Sequence, residues 1–277
     1  LEQRPELLEE IQYFKNMEFS VMGKAEMSYY PSSLEVEEIH KIDDSIPVKA
    51  ITAYVFDKPA AVEKIGEERE GILFVGGFAH PPNEDAVLWF CEEVLPFMKR
   101  QLPDLKFRIV GSHVTDKVKD LEKIKGVEVL GFVSDERLHE LYQESRLVIV
   151  PLRYGAGVKG KVVEALHEGA AVLTTSCGAE GIPHAEEVMV VEDDPRKFAD
   201  EGVLFYQNLP RIREYSKKAT EYIAEHFSPD AVFKGIKDDF GVSDIPSVDR
   251  RNAMLKRRVA DMKAGRNIHE HELIEDN

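Results

Sequence analysis

The sequence predicts an α/β fold in which a parallel sheet is covered by helices on both faces. Three observations predict it. Short apolar runs recur at residues 72–75, 107–110, 127–130, 147–150, 171–174 and 188–191. The segments between them carry amphipathic helical spacing, as right-handed crossovers between parallel strands require. The connection after residue 150 is rich in glycine and feeds directly into one of those helices.

The first part of the chain reads as a charged helix over residues 5–23, then a strand at 27–30. Ser32 and Glu35 stand at capping-box spacing and open a second helix. A short strand at 48–54 leads into residues 57–70, which are rich in charge and have no apolar period, the mark of a linker. In the first helix after that linker, Val87, Phe90, Cys91, Val94 and Leu95 repeat at helical spacing and define a buried stripe, so Cys91 belongs to the core. Residues 210–227 form a last amphipathic helix, and 247–277 are mostly charge, a solvated helix or disorder. The expected division is 1–57, a linker at 58–70, a ligand-binding domain at 71–227 and a charged extension at 228–277.

Composition narrows the function. At 277 residues and 43% hydrophobic, the chain can bury a sizeable core, yet no apolar run approaches the roughly 20 residues of a membrane span. Acidic residues outnumber basic ones by 52 to 36, for a net charge of -16, which excludes a duplex nucleic-acid partner. Any phosphate site must be local. Cys91 and Cys177 are the two cysteines, too few for a disulfide framework or a four-cysteine zinc site, and a reducing cytoplasm fits. The chain starts at Leu1, and the expectation is a piece of a longer protein.

In an open parallel sheet, ligands bind beyond the carboxyl ends of the strands. After Val75 come Gly76 and Gly77, then His80 and Asn83 in a proline-bearing entry to the next helix. After Val150 come Gly155, Gly157 and Gly160, with Val162, Val163 and Leu166 on the buried side of the helix that follows. Free amides and the positive end of a helix dipole make such a loop an anion site. Arg153, Lys159 and Lys161 add charge, and residues 147–163 contain no acid, so a diphosphate is the natural occupant. Glu164 either accepts hydrogen bonds from ribose hydroxyls or pairs with Lys161 at helical spacing.

Other signals are weaker. The Walker sequence, GxxxxGK followed by Ser or Thr, is absent, which counts against a P-loop NTPase. No two aspartates stand two apart, so the simplest carboxylate pair for a metal-bound diphosphate is missing, and no metal is expected. His269, Glu270, His271 and Glu272 fall in the charged tail and read as solvated rather than metal-binding. Cys177 can line the pocket but has no neighbouring base. His80 is either a ligand contact or a simple loop histidine.

The segments ILFVGGFAHPPNEDAVLWF, PDLKFRIVG, VEVLGFVSD, VIVPLRYGAGVKGKVVEAL and AAVLTTSCGAEGI, taken as an ordered set, resemble the C-terminal, donor-binding domain of the family-4 retaining glycosyltransferases. These have the GT-B fold of two facing Rossmann-like domains. The likeness runs from Gly71 to about Phe227, and residues 18–57 resemble the close of the N-terminal acceptor domain and the crossing between domains.

The resemblance implies that the nucleotide base packs near Phe132 and Val133, and that Glu164 holds the ribose. Gly76, Gly77, Arg153, Gly157, Val158, Lys159, Gly160 and Lys161 cradle the diphosphate, with His80 and Asn83 as candidate donor-loop residues. It implies metal-independent, retaining transfer of a sugar from a nucleotide-diphosphate donor to a hydroxyl of a glycan, a lipid-linked glycan or a protein. A membrane contact would come only through such an acceptor. Catalytic residues are not identified, and the fragment alone is expected to be inactive. Many members carry a sugar-contacting glutamate where this chain has Ala156, and a loop arginine and lysine where residues 78–83 offer no permanent cation. A subset with a Pro-Asn pair, like Pro82 and Asn83, shares both departures. Two competing readings are a non-catalytic nucleotide-binding module and a nucleotide-sugar epimerase of the same architecture.

Overall fold

The structure is a computed structural model that describes residues 5–52, 54–58, 60 and 69–240. Helix α1 (Pro5–Met22), strand β1 (Ser28–Tyr30), helix α2 (Ser33–Ile42) and strand β2 (Val48–Ala50) come first. β1 and β2 pair in parallel over a small core of Met22, Ile39, Ile46 and Val48. The strand expected over 48–54 stops at Ala50. The expected capping box does not form: Ser32 precedes α2 in an extended conformation, but its side chain makes no cap bond and its hydroxyl is fully buried without a partner.

The main sheet begins with β3 (Ile72–Val75), followed by α3 (Pro81–Trp89), a π-helical stretch (Phe90–Val94) and α4 (Leu95–Gln101). Pro96 explains the π-helical stretch. It has no N–H to donate, and its ring would clash with the carbonyl four residues earlier, so the helix widens ahead of it. Then come β4 (Phe107–Val110), α5 (Asp116–Lys119), β5 (Val127–Gly131), α6 (Asp135–Glu144), β6 (Leu147–Val150) and α7 (Gly160–His167). β7 (Val172–Thr174), α8 (Ser176–Ala179), α9 (Ala185–Val188) and β8 (Val190–Val191) complete the sheet, and α10 (Pro195–Gln207), α11 (Leu209–His226) and α12 (Pro229–Ile236) follow. The last strand is shorter than expected, because Val188 closes α9.

All five strand pairings are parallel, in the order β5-β4-β3-β6-β7-β8. Winding from β3 to β5 goes one way and from β6 to β8 the other, so the order reverses between β3 and β6. That reversal opens a crevice beyond their carboxyl ends, where ligands bind in such sheets. Ile72, Leu73 and Phe74 of β3 and all four residues of β6 are buried, each worth about 1.5–3 kcal/mol relative to exposure for the larger side chains. Cys91 is buried in this core, which pushes its thiol up to about 12.

Residues of the crossing segment lie along α7. The Phe56 ring stacks on His167 at 4.1 Å, His167 Nε2 meets the Lys58 carbonyl at 3.0 Å, and the Ala60 amide donates to the His167 carbonyl at 3.1 Å. The expected linker is docked at its far end. Arg69 is buried and donates to Gln143, and the Glu70 amide donates to the Glu144 carbonyl. By internal contacts one unit ends at Val232 and a second begins at Phe233, whose described part runs to residue 240. The charged tail with His269, Glu270, His271 and Glu272 lies outside the described residues. Among the described residues no helix is long and apolar enough to cross a membrane.

Candidate functional site

Two adjoining clefts occupy the crevice at the sheet reversal. The larger, about 310 Å³, is lined by Gly76 and Gly77 after β3, Phe132 and Val133 after β5, and Lys161 and Glu164 on α7. The smaller, about 210 Å³, is lined by His80, Asn83, Tyr154, Gly155, Lys159 and Lys161 among others. Lys161 borders both.

Three contacts fix Lys161. Its ammonium donates to the Asn83 side-chain oxygen, lies 4.9 Å from the centre of the buried Phe74 ring, and stands where a Cβ on Gly76 would be, at 2.7 Å. A side chain at residue 76 would press on this ammonium and on the Asn83 amide at 3.0 Å, so one or both would have to shift. Burial, with lesser repulsion from Lys159, pushes the Lys161 ammonium down to about 8 against the opposing pull of Glu164. Among the described residues no carboxylate lies within ion-pair distance of it.

Glu164 follows one turn later on α7. It makes no ion pair with Lys161, so helical pairing is not realised; the lysine reaches back to Asn83 instead. Its carboxylate is exposed to the cleft, yet crowding by protein still raises its pKa, more than Lys161 lowers it. Phe132 is 80% exposed at the mouth of the larger cleft, an apolar face that a flat ring can cover.

Two expected phosphate ligands are otherwise engaged. Arg153 forms a two-pronged ion pair with Asp85 of α3, through Nε at 2.9 Å and through its terminal nitrogen, and lines neither cleft. Lys159 is largely buried and donates to the carbonyls of Gly157 at 2.5 Å and Gly155 at 3.4 Å and to Glu180 at 2.9 Å. It staples the loop. Gly155 and Gly157 take φ of +132° and +75°, which lets their carbonyls turn toward it. Cys177 is half-buried with its sulfur 3.7 Å from the Gly155 carbonyl.

Asn83 does more than sequence reasoning assigned it. Its amide nitrogen donates to the Gly77 carbonyl at 2.7 Å, so it ties the loop after β3 to α7 through Lys161. Its burial was the signal, and periodicity along α3 cannot show burial by a distant lysine. The expectation from sequence that the dinucleotide fingerprint GxGxxG is absent is corrected by the chain itself, since Gly155, Gly157 and Gly160 fit that spacing. The geometry does not. That fingerprint places its first glycine in the tight turn after the strand and its third against the strand. Here residues 151–154 intervene, and a Cβ on Gly160 would meet the Tyr54 hydroxyl at 2.6 Å.

Comparisons with known proteins agree with this architecture. Residues 69–208 match the family described as "Glycosyl transferases group 1". A Klebsiella pneumoniae protein described as an uncharacterized 44.6 kDa protein in the cps region is 27% identical over 186 residues, 64% of this chain and 48% of that protein. The chain thus spans about half the length of this relative.

Solved structures share the fold at low identity. S. aureus TarM, in complex with fondaparinux, α-GlcNAc-glycerol and UDP, matches with a TM-score of 0.62 and 14% identity over 79% of this chain and 44% of that one. Anabaena HepE, in complex with UDP and glucose, matches with a TM-score of 0.59 and 14% identity over 78% and 63%. The fold is that of a GT-B glycosyltransferase domain, and the chain belongs to the glycosyl transferases group 1 family.

Proposed function

We propose that this chain binds the nucleotide-diphosphate sugar of a glycosyltransferase that moves the sugar, with retention and without a metal, to an acceptor hydroxyl. One observation carries the reading: Lys161 stands between two clefts beside the amide end of α7, its ammonium making no ion pair with any carboxylate of the described residues. A diphosphate there meets a cation and the first helix amides together. The larger cleft takes the nucleoside, with Phe132 and Val133 against the base and Glu164 on the ribose. The smaller takes the sugar.

The departing nucleoside diphosphate gains negative charge as the bond to the sugar breaks, and preorganised donors stabilise that charge without a metal. Lys161 and the α7 amides supply them, while Lys159 and Arg153 hold the walls. The bound UDP in the TarM and HepE structures supports a uridine nucleotide as the first to test. The cps setting of the Klebsiella relative supports a glycan or lipid-linked glycan acceptor.

The test is donor hydrolysis and transfer by the protein extended to its relatives' length, supplied with UDP-glucose, GDP-mannose or ADP-glucose with and without EDTA. Release of nucleoside diphosphate that survives EDTA, with the product anomer retained, supports the proposal. Loss of activity in EDTA, or an inverted product, contradicts it. Nucleotide binding with no turnover on any donor favours the non-catalytic module.

A further inference from the structure

The glycine loop is short of groups that can read a sugar. Gly155, Ala156 and Gly157 offer no polar side chain, and the ammonium of Lys159 is spent on two carbonyls and Glu180. A sugar beside this loop presents several hydroxyls, and these residues offer them no free side-chain acceptor.

One carboxylate reaches the loop from outside the main sheet. A Cβ on Gly157 would lie 3.7 Å from Glu35 Oε2, and one on Gly181 would lie 3.1 Å from Ser32 Oγ. Both residues belong to the start of α2, one turn apart, so the same end of one helix meets the glycine loop and the loop after α8. Among the described residues neither side chain has a hydrogen-bond or ion-pair partner. The Ser32 hydroxyl is fully buried and unpartnered. The nearby Tyr30 hydroxyl donates to Glu18, and no hydrogen bond or ion pair joins Glu35 to any described residue.

The chemistry restricts what Glu35 can meet. An ionised carboxylate repels a diphosphate, but it has two oxygens that accept from neutral hydroxyls, and a vicinal pair of sugar hydroxyls matches that fork. Ala156, which lines the smaller cleft next to Gly157, puts no competing polar group there. We propose that Glu35 accepts hydrogen bonds from hydroxyls of the donor sugar, with Ser32 at its side, and is a specificity-determining residue supplied by α2. This rests on the donor-site reading above.

Calorimetry on wild type, Glu35→Ala and Glu35→Gln tests it, with UDP against UDP-glucose and UDP-GlcNAc, GDP against GDP-mannose, and ADP against ADP-glucose. Glu35→Ala is expected to leave the Kd for the free nucleotide within about twofold and to raise that for the matching nucleotide sugar at least about tenfold, as loss of a charged hydrogen bond does. Glu35→Gln, which keeps one acceptor oxygen, recovers part of the loss. Equal changes for nucleotide and nucleotide sugar, or none for either, overturn the proposal while leaving the donor site standing. A wild type that binds none of the nucleotides overturns the donor-site reading and this proposal with it.

Discussion

Asn83 and Lys161 meet across the crevice: the ammonium of one donates to the side-chain oxygen of the other, and the same amide holds the Gly77 carbonyl at 2.7 Å. The pair joins the loop after β3 to the first turn of α7, the two elements that flank the reversal of strand order. A buried lysine is costly, and a neutral amide with an aromatic face is an arrangement that solvates the charge without cancelling it.

Replacing Asn83 separates scaffold from charge. Asn83→Ala should cost about 1–3 kcal/mol of stability, because buried groups on both sides lose a partner. Nucleoside diphosphate affinity should fall about tenfold, the size of one charge-assisted contact. Asn83→Asp should keep the contact to Lys161 but lose the one to the Gly77 carbonyl, since a carboxylate cannot donate, and pair the charge, raising the Lys161 pKa and weakening anion binding all the same. Thermal melts and calorimetry on both variants check this.

The pH dependence follows from Lys161, whose pKa falls from 10.5 to about 8. The folded protein gives up this proton before the unfolded chain does, so this group's contribution to stability rises between about pH 8 and 10.5. Binding runs the other way. A bound diphosphate favours the charged amine, so binding takes up a proton above about pH 8 and affinity falls by up to about tenfold per pH unit. Titrations in two buffers of different ionisation enthalpy measure that uptake, and Lys161→Met should abolish it.

Tyr54 of the crossing segment leans on the start of α7. Its phenol is raised by burial and by the charge of Glu164, with the Gly160 amide acting oppositely. A Cβ on Gly160 would stand 2.6 Å from its oxygen and 3.0 Å from its ring. Gly160→Ala should therefore destabilise by about 1–3 kcal/mol, as overpacking does. In Tyr54→Ala the same change should cost far less, a non-additivity that denaturant unfolding of the four proteins resolves.

Arg153 and Lys161 should behave differently. With its guanidinium held by Asp85 and 5.9 Å from the Trp89 ring, Arg153 is committed to the wall. Arg153→Ala should weaken nucleoside diphosphate binding by less than about fivefold, since an exposed pair of this kind is worth under about 1 kcal/mol. An effect as large as that of Lys161→Ala would return Arg153 to the phosphate site.

Most of the sheet was legible because buried parallel strands read as unbroken apolar runs: β3, β4 and β6 begin and end where their runs do. The widened turn at Phe90–Val94 was not, since Pro96 reads in sequence as a helix start and only packing shows the helix continuing through it. Within the site, glycines and cations announce an anion loop, but charge alone does not reveal which cation is spent. Glu180 and Asp85, the partners of Lys159 and Arg153, lie 21 and 68 residues away from them. Glu35 was legible as a helix cap and nothing more, because its approach to Gly157 depends on how α2 packs.

The central claim is a metal-independent grip on a nucleoside diphosphate centred on Lys161. Titrating this chain and its Lys161→Ala variant with UDP, GDP and ADP, with and without EDTA, tests it most directly. The account predicts saturable binding of at least one nucleotide that EDTA leaves unchanged and that weakens about tenfold or more in Lys161→Ala. No binding of any nucleotide, binding lost in EDTA, or a variant that binds as tightly as wild type would contradict it.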